Sequence, residues 1–310
     1  MGYAHSGDVR ESAGATLREE LAVVATSSPT LLKRYIALEL RRLREAAGLS
    51  RDKVVARLRC VPSHISHLET MRNLPKAPEL EVLLGFYGVA ERTEAFLELV
   101  DAARKGRDWW LPFKGTAPEW FDLYLAMESS AVQIDSYDAM VVPGLFQTPA
   151  YAKAVIRAGE PELADAEVAR RIELRMTRQD VLTRQPDPPA VWCVLDESVL
   201  YRPAGEPRVL LEQLDYLIKL LELPTLTIQV LPLEAGVHAG VEGTFMILTF
   251  PPELVGDPGI AYVESRIKST YYEDPAEIMT YRNTLRRIQI QACPPEETRA
   301  LLIRRIEELT

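Results

Sequence analysis

Three helix patterns follow one another between residues 28 and 70, separated only by short polar breaks. The first, SSPTLLKRYIALELRRLREAAGLS, has Ser28 as a candidate N-cap, Pro29 at the first helical position and Gly48 as a stop. Its apolar residues recur at helical spacing, at Leu32, Ile36, Leu40, Leu43 and Ala47. This region is therefore constrained to pack several short helices against one another.

The second and third patterns are much shorter than the first. RDKVVARL predicts a helix that Ser50 caps, with Val54, Val55 and Leu58 facing inward. In the third, which begins at Pro62, a spacing of about 100° per residue places Val61, Ile65 and Leu68 on one side. The other side carries small polar groups and one imidazole, from Ser63, Ser66, His67 and Thr70. Such a helix suits contact with another surface better than exposure to water.

Two further helices are predicted at about 78–87 and 92–105, which makes a five-helix, all-α domain over residues 28–107. The preceding residues, 1–27, contain acidic side chains and no apolar core of a signal peptide, and are predicted to be a flexible tail.

The texture changes after Trp109 and Trp110, where short β-branched and apolar runs appear. AVQIDSYD, AVWCVL, LTIQVLP, GTFMILTF and IAYVES read as strands. Helices are predicted between and after them, at 118–130, 149–158, 164–184, 207–222, 275–290 and 295–309. Because the later strands are joined by short loops, residues 108–310 are predicted to form helices packed around a mostly antiparallel sheet, and the whole chain is α+β.

The charge is distributed unevenly along the chain. Residues 33–76 contain eleven basic and four acidic residues, a net charge of +7, although the 310-residue chain carries −9. A basic module on an acidic body can bind phosphates locally while the body opposes indiscriminate association. The alternative is a solvated basic face. Three scattered cysteines and the lack of a stretch approaching the ~20 apolar residues of a membrane span fit a cytoplasmic protein.

Two short helices joined through RCV have the spacing of a helix-turn-helix, in which the second helix enters the major groove of double-stranded DNA. Ser63 is predicted to reach a base edge, His67 to meet a guanine acceptor or a phosphate, and the Pro62 ring to touch a thymine methyl. Arg51 is placed for a phosphate at a helix N-terminus. The predicted DNA-binding set is Arg51, Pro62, Ser63, His64, Ser66, His67, Thr70 and Arg72.

Each of these residues also has a structural interpretation. Ser63 can simply complete the first turn, and His67 can be an ordinary surface residue. His64 and His67 resemble a pair of metal ligands, but no third ligand is near in sequence, so no metal is predicted. Glu69, at the edge of the buried face, is predicted to pair with an arginine of the first helix such as Arg44.

An enzyme is the competing class of function for the second domain. The sequence contains no phosphate-binding glycine loop, HExxH, paired cysteine motif or nucleophile elbow. Asp196, Glu197 and His238 are candidate polar groups, with a helix cap and a loop residue as the structural alternatives. Tyr262 and Glu264 can face a pocket or the solvent. We therefore predict no catalytic residues and no cofactor.

RLREAAGLS followed by VPSHISHLETMRN resembles the Xre/Cro-type helix-turn-helix domain of actinobacterial regulators, over residues 29 to about 105. The remaining chain resembles the large domain of unknown function that accompanies it there. The phrases that carry this resemblance are SYDAMVVPGLFQTPAYAKAVIRAG, RRIELRMTRQDVLTR, VLDESVLYRP, LTIQVLPLEAGVHAGVEGTFMILTF and YYEDPAEI.

The resemblance implies an antitoxin-like transcriptional regulator, commonly paired with a small protein encoded nearby. We expect a homodimer whose second domain senses that protein or a small-molecule ligand. An alternative is an antitoxin-type protein that mainly neutralises its small partner and represses its own operon. The chain departs from the family pattern at Arg59 and Met71, where glycine is usual, and at Val61, where a Ser/Thr N-cap is usual. A left-handed Arg59 costs about 1 kcal/mol relative to glycine.

Overall fold

The computed structural model describes residues 27–310, apart from the side chain of Glu119. The predicted tail therefore lies outside the described residues, except for Ser27 at its end. The chain forms two compact units. The first contains residues up to Trp109 together with Pro251–Asp257, and the second contains Trp110–Phe250 and Pro258–Thr310.

The first unit is helical, as predicted. In its described part the α-helices are α1 (Pro29–Ala46), α2 (Arg51–Leu58), α3 (Pro62–Glu69), α4 (Ala77–Phe86) and α5 (Thr93–Lys105). The Ser28 hydroxyl accepts from the backbone N–H of Leu31 at 3.2 Å, so the predicted cap of α1 is confirmed. The apolar faces converge on one core, which includes Leu31, Leu32, Ile36, Leu40, Val54, Ile65, Leu68, Leu80, Leu83, Leu84 and Phe96.

Two residues expected in this core are exposed. Val61 leaves 64% of its surface in solvent because it is the N-cap of α3, with extended backbone (φ −79°, ψ 148°), and does not follow the helical wheel. Ala47 lies just beyond the end of α1 and is also exposed. On α2 Val54 is fully buried, whereas Val55 and Leu58 are half-buried.

The second unit combines helices with one sheet. Its α-helices are α6 (Glu119–Ser130), α7 (Pro149–Gly159), α8 (Asp165–Arg178), α9 (Ser198–Tyr201), α10 (Pro207–Leu220), α11 (Pro275–Gln291) and α12 (Pro295–Leu309). Its strands are β1 (Gln133–Asp138), β2 (Ala190–Asp196), β3 (Leu226–Leu231), β4 (Phe245–Thr249), β5 (Ile260–Glu264) and β6 (Ser269–Tyr272). The α+β class is confirmed.

The sheet is mixed, with strand order β3-β2-β1-β4-β5-β6. The β1–β2 and β2–β3 pairs are parallel, because helices α7, α8 and α10 provide the crossovers between those strands. The β1–β4, β4–β5 and β5–β6 pairs are antiparallel, so three of the five strand pairs agree with the predicted mostly antiparallel sheet. Tyr137 on β1 and Ile247 on β4 belong to a core that α11 covers with Ile278, Leu285 and Ile288.

The segment between β4 and β5 belongs to the first unit through Pro251–Asp257. There the Asp257 carboxylate forms a buried ion pair with the Arg34 guanidinium on α1. Gly256 (φ +83°) lies beside Arg42, where an added Cβ would come within 3.3 Å of that side chain. Within residues 27–310, no helix is both long and apolar enough to cross a membrane.

Candidate nucleic-acid interface

Helices α1, α2 and α3 are joined by two tight turns. Gly48 adopts a left-handed conformation (φ +66°) after α1, and Ser50 then caps α2 by accepting from the backbone N–H of Lys53 at 3.4 Å. Arg59 is the left-handed C-cap of α2 (φ 53°, ψ 43°). The chain therefore turns into α3 through a position that glycine would occupy with less strain, as the sequence predicted.

One buried carboxylate connects all three helices. Glu69, near the end of α3, accepts from Arg44 Nε at 2.5 Å and from Arg44 Nη2 at 3.2 Å. It also accepts from Arg51 Nε, at the start of α2, at 2.8 Å. Arg44 Nη1 donates to the Leu49 carbonyl in the α1–α2 turn at 2.8 Å. The predicted Arg44–Glu69 pair is confirmed, and it fixes α3 relative to the two helices before it.

This network changes the surroundings of Arg51. The residue is half-exposed, with 47% of its side chain in solvent, but its Nε is committed to Glu69. Its two terminal nitrogens can still face a phosphate while Nε holds the carboxylate. Arg51 therefore supports the geometry of the helix pair in addition to its predicted contact with the DNA backbone.

The end of α3 is closed by a second left-handed residue. Met71 has φ +64°, and the backbone N–H groups of Arg72 and Asn73 donate to the His67 carbonyl at 3.0 and 3.2 Å. This is the hydrogen-bonded form of a helix end that glycine usually permits. The sequence pattern had marked this position for glycine, and Met71 occupies it at a conformational cost.

The polar side of α3 carries small hydrogen-bonding groups. Pro62 and Ser63 are exposed and Ser66 is half-buried. Within the described part of the chain, neither serine hydroxyl makes a hydrogen bond. The Thr70 hydroxyl donates to the Ser66 carbonyl at 2.7 Å, as is common at a helix end. Ser63 in the first turn is thus free to meet a base edge.

The two histidines of α3 have different partners. His64 Nε2 is hydrogen-bonded to Glu79 Oε1 on α4, so this side chain ties α3 to its neighbour. His67 Nε2 lies 3.5 Å from Arg72 Nη1, at the exposed end of the helix. Of the two, His67 is the imidazole with the weaker internal contact and is better placed to accept an external partner.

Exposed cations surround this helix pair. Among the described side chains, five exposed basic residues of this region have no carboxylate within ion-pair distance, namely Lys53, Arg57, Arg59, Arg72 and Lys76. Lys53 and Arg57 are four residues apart and share one face of α2. Sequence reasoning did not include these two among the site residues, although their spacing on a helix that precedes the polar one is visible in RDKVVARL.

Two models of known protein families match the chain, one in each of the two compact units. A helix-turn-helix domain model matches residues 36–97, which begin within α1 and end within α5. The model of a domain of unknown function, DUF5753, matches residues 121–304, more than half of the chain. The chain belongs to the DUF5753 family. No curated protein and no solved structure matches it.

The DUF5753 region brings together two of the candidate polar groups from different segments. His238 Nε2 lies 3.9 Å from Asp196 Oδ2, and the Tyr137 hydroxyl donates to the same Asp196 oxygen at 3.2 Å. Asp196 Oδ1 accepts from the backbone N–H of Ser198 at 3.0 Å, which is the helix-capping role considered from the sequence. In the same region, the Tyr262 hydroxyl donates to Glu264 at 3.0 Å. Asp196, Tyr262 and Glu264 thus have hydrogen-bond partners within the protein, in agreement with the structural alternatives considered from the sequence.

Proposed function

We propose that the protein is a sequence-specific transcriptional regulator that binds double-stranded DNA through α2 and α3. The observation that carries the proposal is the polar side of α3, with exposed Ser63, beside exposed cations that no carboxylate of the described residues neutralises. The cations supply affinity for phosphates, and the small polar groups supply the contacts to base edges. The proposed DNA-binding set is the predicted one without His64, whose imidazole is hydrogen-bonded to Glu79, and with Lys53 and Arg57 added as phosphate contacts.

A homodimer is part of this proposal. Ser63, Ser66 and Thr70 offer single hydrogen bonds, and α3 has no Asn, Gln or Arg that would bind a base in bidentate fashion. One such helix discriminates weakly between sequences. Two copies that read two half-sites multiply the discrimination, as in other helix-turn-helix regulators. Sedimentation of the protein alone and on DNA tests the stoichiometry.

The second domain is proposed to control DNA binding by sensing an effector. The candidate effectors are a small molecule and a small protein encoded nearby. The second of these gives the antitoxin-like form of the proposal, in which the protein represses its own operon. Both forms require the same DNA contacts and differ only in what binds the DUF5753 region.

The decisive experiment is the salt dependence of binding to duplex DNA by the full-length protein. If several phosphates are neutralised, the affinity falls by orders of magnitude between about 50 and about 200 mM salt. Selection from random duplexes then yields an operator, and the operator-to-random affinity ratio measures specificity. Binding without salt dependence, or binding that survives loss of Lys53, Arg57 and Arg72 together, contradicts the proposed interface.

A further inference from the structure

A large cavity lies within the second unit, between α6, α7, α8 and the β4–β5 part of the sheet. Its volume is 1230 Å³. This is at or above the upper end of the roughly 300–1,000 Å³ that small-molecule sites occupy. All of its lining residues belong to the second unit, and all except Ala117, Pro118 and Trp120 lie within the residues that the DUF5753 model matches.

One wall of the cavity is aromatic. Trp120, Phe121 and Tyr124 on α6 line it together with Tyr262 on β5. Each ring contacts the next one along the wall. The centroid separations are 5.8 Å for Trp120–Phe121, 5.1 Å for Phe121–Tyr124 and 4.5 Å for Tyr124–Tyr262. Such a continuous aromatic surface suits a flat or apolar ligand body.

The facing helix, α8, presents three arginines at positions 171, 175 and 178, which share one helical face. Arg178 is already neutralised, because its Nε and Nη2 each donate to the buried Glu128 carboxylate at 2.8 Å. Its guanidinium also lies over the Phe121 and Tyr124 rings, at 5.1 and 5.3 Å from their centroids. Arg178 is thus part of the cavity wall rather than a free anchor.

Arg175 differs from both of its neighbours. Arg171 pairs with Glu160 and Glu167, although its buried Nε has no partner among the described atoms. Arg175 donates only to the neutral Gln147 amide oxygen, at 2.8 Å, and no described carboxylate lies within ion-pair distance of it. Burial lowers the pKa of Arg175 to about 10, which reflects a cation that the protein has desolvated without pairing.

The carboxylates that line the cavity already have donors. Glu160 accepts from Arg171 Nη1 at 2.6 Å, and Glu264 accepts from the Tyr262 hydroxyl at 3.0 Å. Asp138 accepts from the Ser136 hydroxyl at 2.7 Å. Among the described side chains that line the cavity, the half-buried cation without a carboxylate within ion-pair distance is therefore Arg175, whereas Arg266 is exposed and donates to the Gly159 carbonyl at 2.9 Å.

We propose that this cavity binds a small organic anion, a carboxylate or phosphate ester with an apolar or aromatic body, whose charged head is held by Arg175. The body lies against the aromatic wall that Trp120 and Tyr262 help to form. Gln147 positions the guanidinium, because its own amide nitrogen is fixed to the Val142 carbonyl at 2.6 Å. This inference rests on the proposed sensing role of the second domain and specifies the chemistry of the effector.

The test uses the full-length protein without DNA, so that its outcome is independent of the DNA-binding proposal. Titration calorimetry and thermal unfolding are measured with 3-phenylpropionate and phenyl phosphate, each up to about 10 mM, a range that includes weak fragment-sized ligands. The neutral amide 3-phenylpropanamide matches the first probe without its charge. Inorganic phosphate shows whether the charged head alone is sufficient.

At least one of the two aromatic anions is expected to bind and to raise the unfolding midpoint, with an affinity at least tenfold above that of the neutral amide. Arg175→Met is expected to weaken that anion at least tenfold, whereas Arg175→Lys retains part of the affinity. Arg170→Met is the matched control, because Arg170 is an exposed arginine on the same helix and donates, among the described residues, only to the Pro112 carbonyl. This variant is expected to bind as the unaltered protein does.

The proposal is overturned if neither aromatic anion binds, if the amide binds as well as the acids do, or if Arg175→Met keeps the affinity. A circular dichroism spectrum and an unfolding midpoint accompany each variant, so that loss of binding is not confused with loss of fold. If Arg175→Met does not fold, Trp120→Leu replaces it. That change removes an aromatic ring from the wall and is expected to weaken the aromatic anions while leaving inorganic phosphate unaffected.

Discussion

Glu69 accepts hydrogen bonds from two nitrogens of Arg44, 25 residues earlier in the chain, and both side chains are almost fully buried. The pair joins the first helix of the domain to the helix that is proposed to read DNA. The Glu69 carboxylate also accepts a hydrogen bond from Arg51. The orientation of α3 therefore depends on these ion pairs as well as on apolar packing. Removing one partner of such a buried ion pair destabilises a protein much more than replacing both partners by apolar residues of similar volume does.

Glu69→Gln is therefore expected to destabilise the α1–α3 region by about 3 kcal/mol, because it leaves the buried Arg44 with only the half-exposed Glu45 as a counter-charge. Hydrogen exchange of the α1–α3 amides in the full-length protein measures the loss. Glu45→Gln is the control. Glu45 also accepts from Arg44, but 53% of its side chain is in solvent, so its removal is expected to cost about 0–1 kcal/mol. Equal effects of the two substitutions would mean that the Glu69 network does not orient α3.

Met71→Gly is expected to stabilise the domain by about 1 kcal/mol relative to Met71→Ala, because only glycine adopts φ +64° without strain. The comparison with alanine removes any contribution from the methionine side chain. Urea unfolding of the two variants gives the difference in free energy of unfolding. A greater stability of the alanine variant would show that the left-handed turn after α3 does not carry the expected strain.

Lys53→Ala and Arg57→Ala are each expected to weaken binding about equally on operator and random DNA and to lower the salt slope by roughly 1, since each removes one phosphate neutralisation. Fluorescence anisotropy at several salt concentrations measures both quantities. Lys105→Ala is the control, because Lys105 already pairs with Asp101 at 3.2 Å. If Lys105→Ala changed the slope as much as the other two, the phosphate contacts would lie elsewhere on the unit.

His67→Ala is expected to cost about 1–3 kcal/mol on the operator and little on random DNA, because it removes a base contact. His64→Ala is the comparison on the same helix, since its imidazole is bound to Glu79. This second change is expected to lower stability and to leave the operator-to-random ratio intact. The opposite pattern would mean that α3 presents its other side to the groove.

Asp138→Asn is expected to stabilise the second unit at alkaline pH. Burial raises the pKa of Asp138 to about 6, whereas an aspartate in an unfolded chain titrates near pH 3.9. The native state therefore binds this proton more tightly, and the ionised carboxylate lowers stability above pH 6. The gain from asparagine is about 1–3 kcal/mol at alkaline pH and shrinks as the pH falls from about 6 to about 4.

Urea unfolding of the wild type and of Asp138→Asn across this pH range gives the difference directly. Asp215→Asn, at an exposed position on α10, serves as the control and is expected to show no such change. A constant difference between Asp138→Asn and the wild type at all pH values would contradict the raised pKa.

The sequence predicted the helical domain well because its signals are local. Ser28, Gly48 and Ser50 act through hydrogen bonds or backbone angles within a few residues, so the helix boundaries can be read directly. Strand β6 was missed because STYY is short and its burial does not alternate. Val61 was placed wrongly because a helical wheel does not apply to an N-cap residue.

Contacts between segments that are distant in the chain were harder to predict from the sequence. The Arg44–Glu69 pair followed from the positions of both residues on two helices, but the second bond from Arg51 required the angle between those helices. The cavity in the DUF5753 region depends on α6, α7, α8 and two strands meeting. No spacing in the sequence distinguishes Arg175, which lacks a carboxylate partner among the described side chains, from Arg178, which has one.

The membership of Pro251–Asp257 in the first unit has a consequence for protein engineering and for evolution. A gene fragment that ends near Trp109 encodes the five helices but omits Asp257, whose carboxylate meets Arg34 inside that unit. We therefore expect that the first 109 residues cannot be exchanged between relatives as an independent unit. Recombination that swapped only the first 109 residues between relatives would place a foreign loop beside α1, and we expect functional chimaeras to carry the matching 251–257 segment as well.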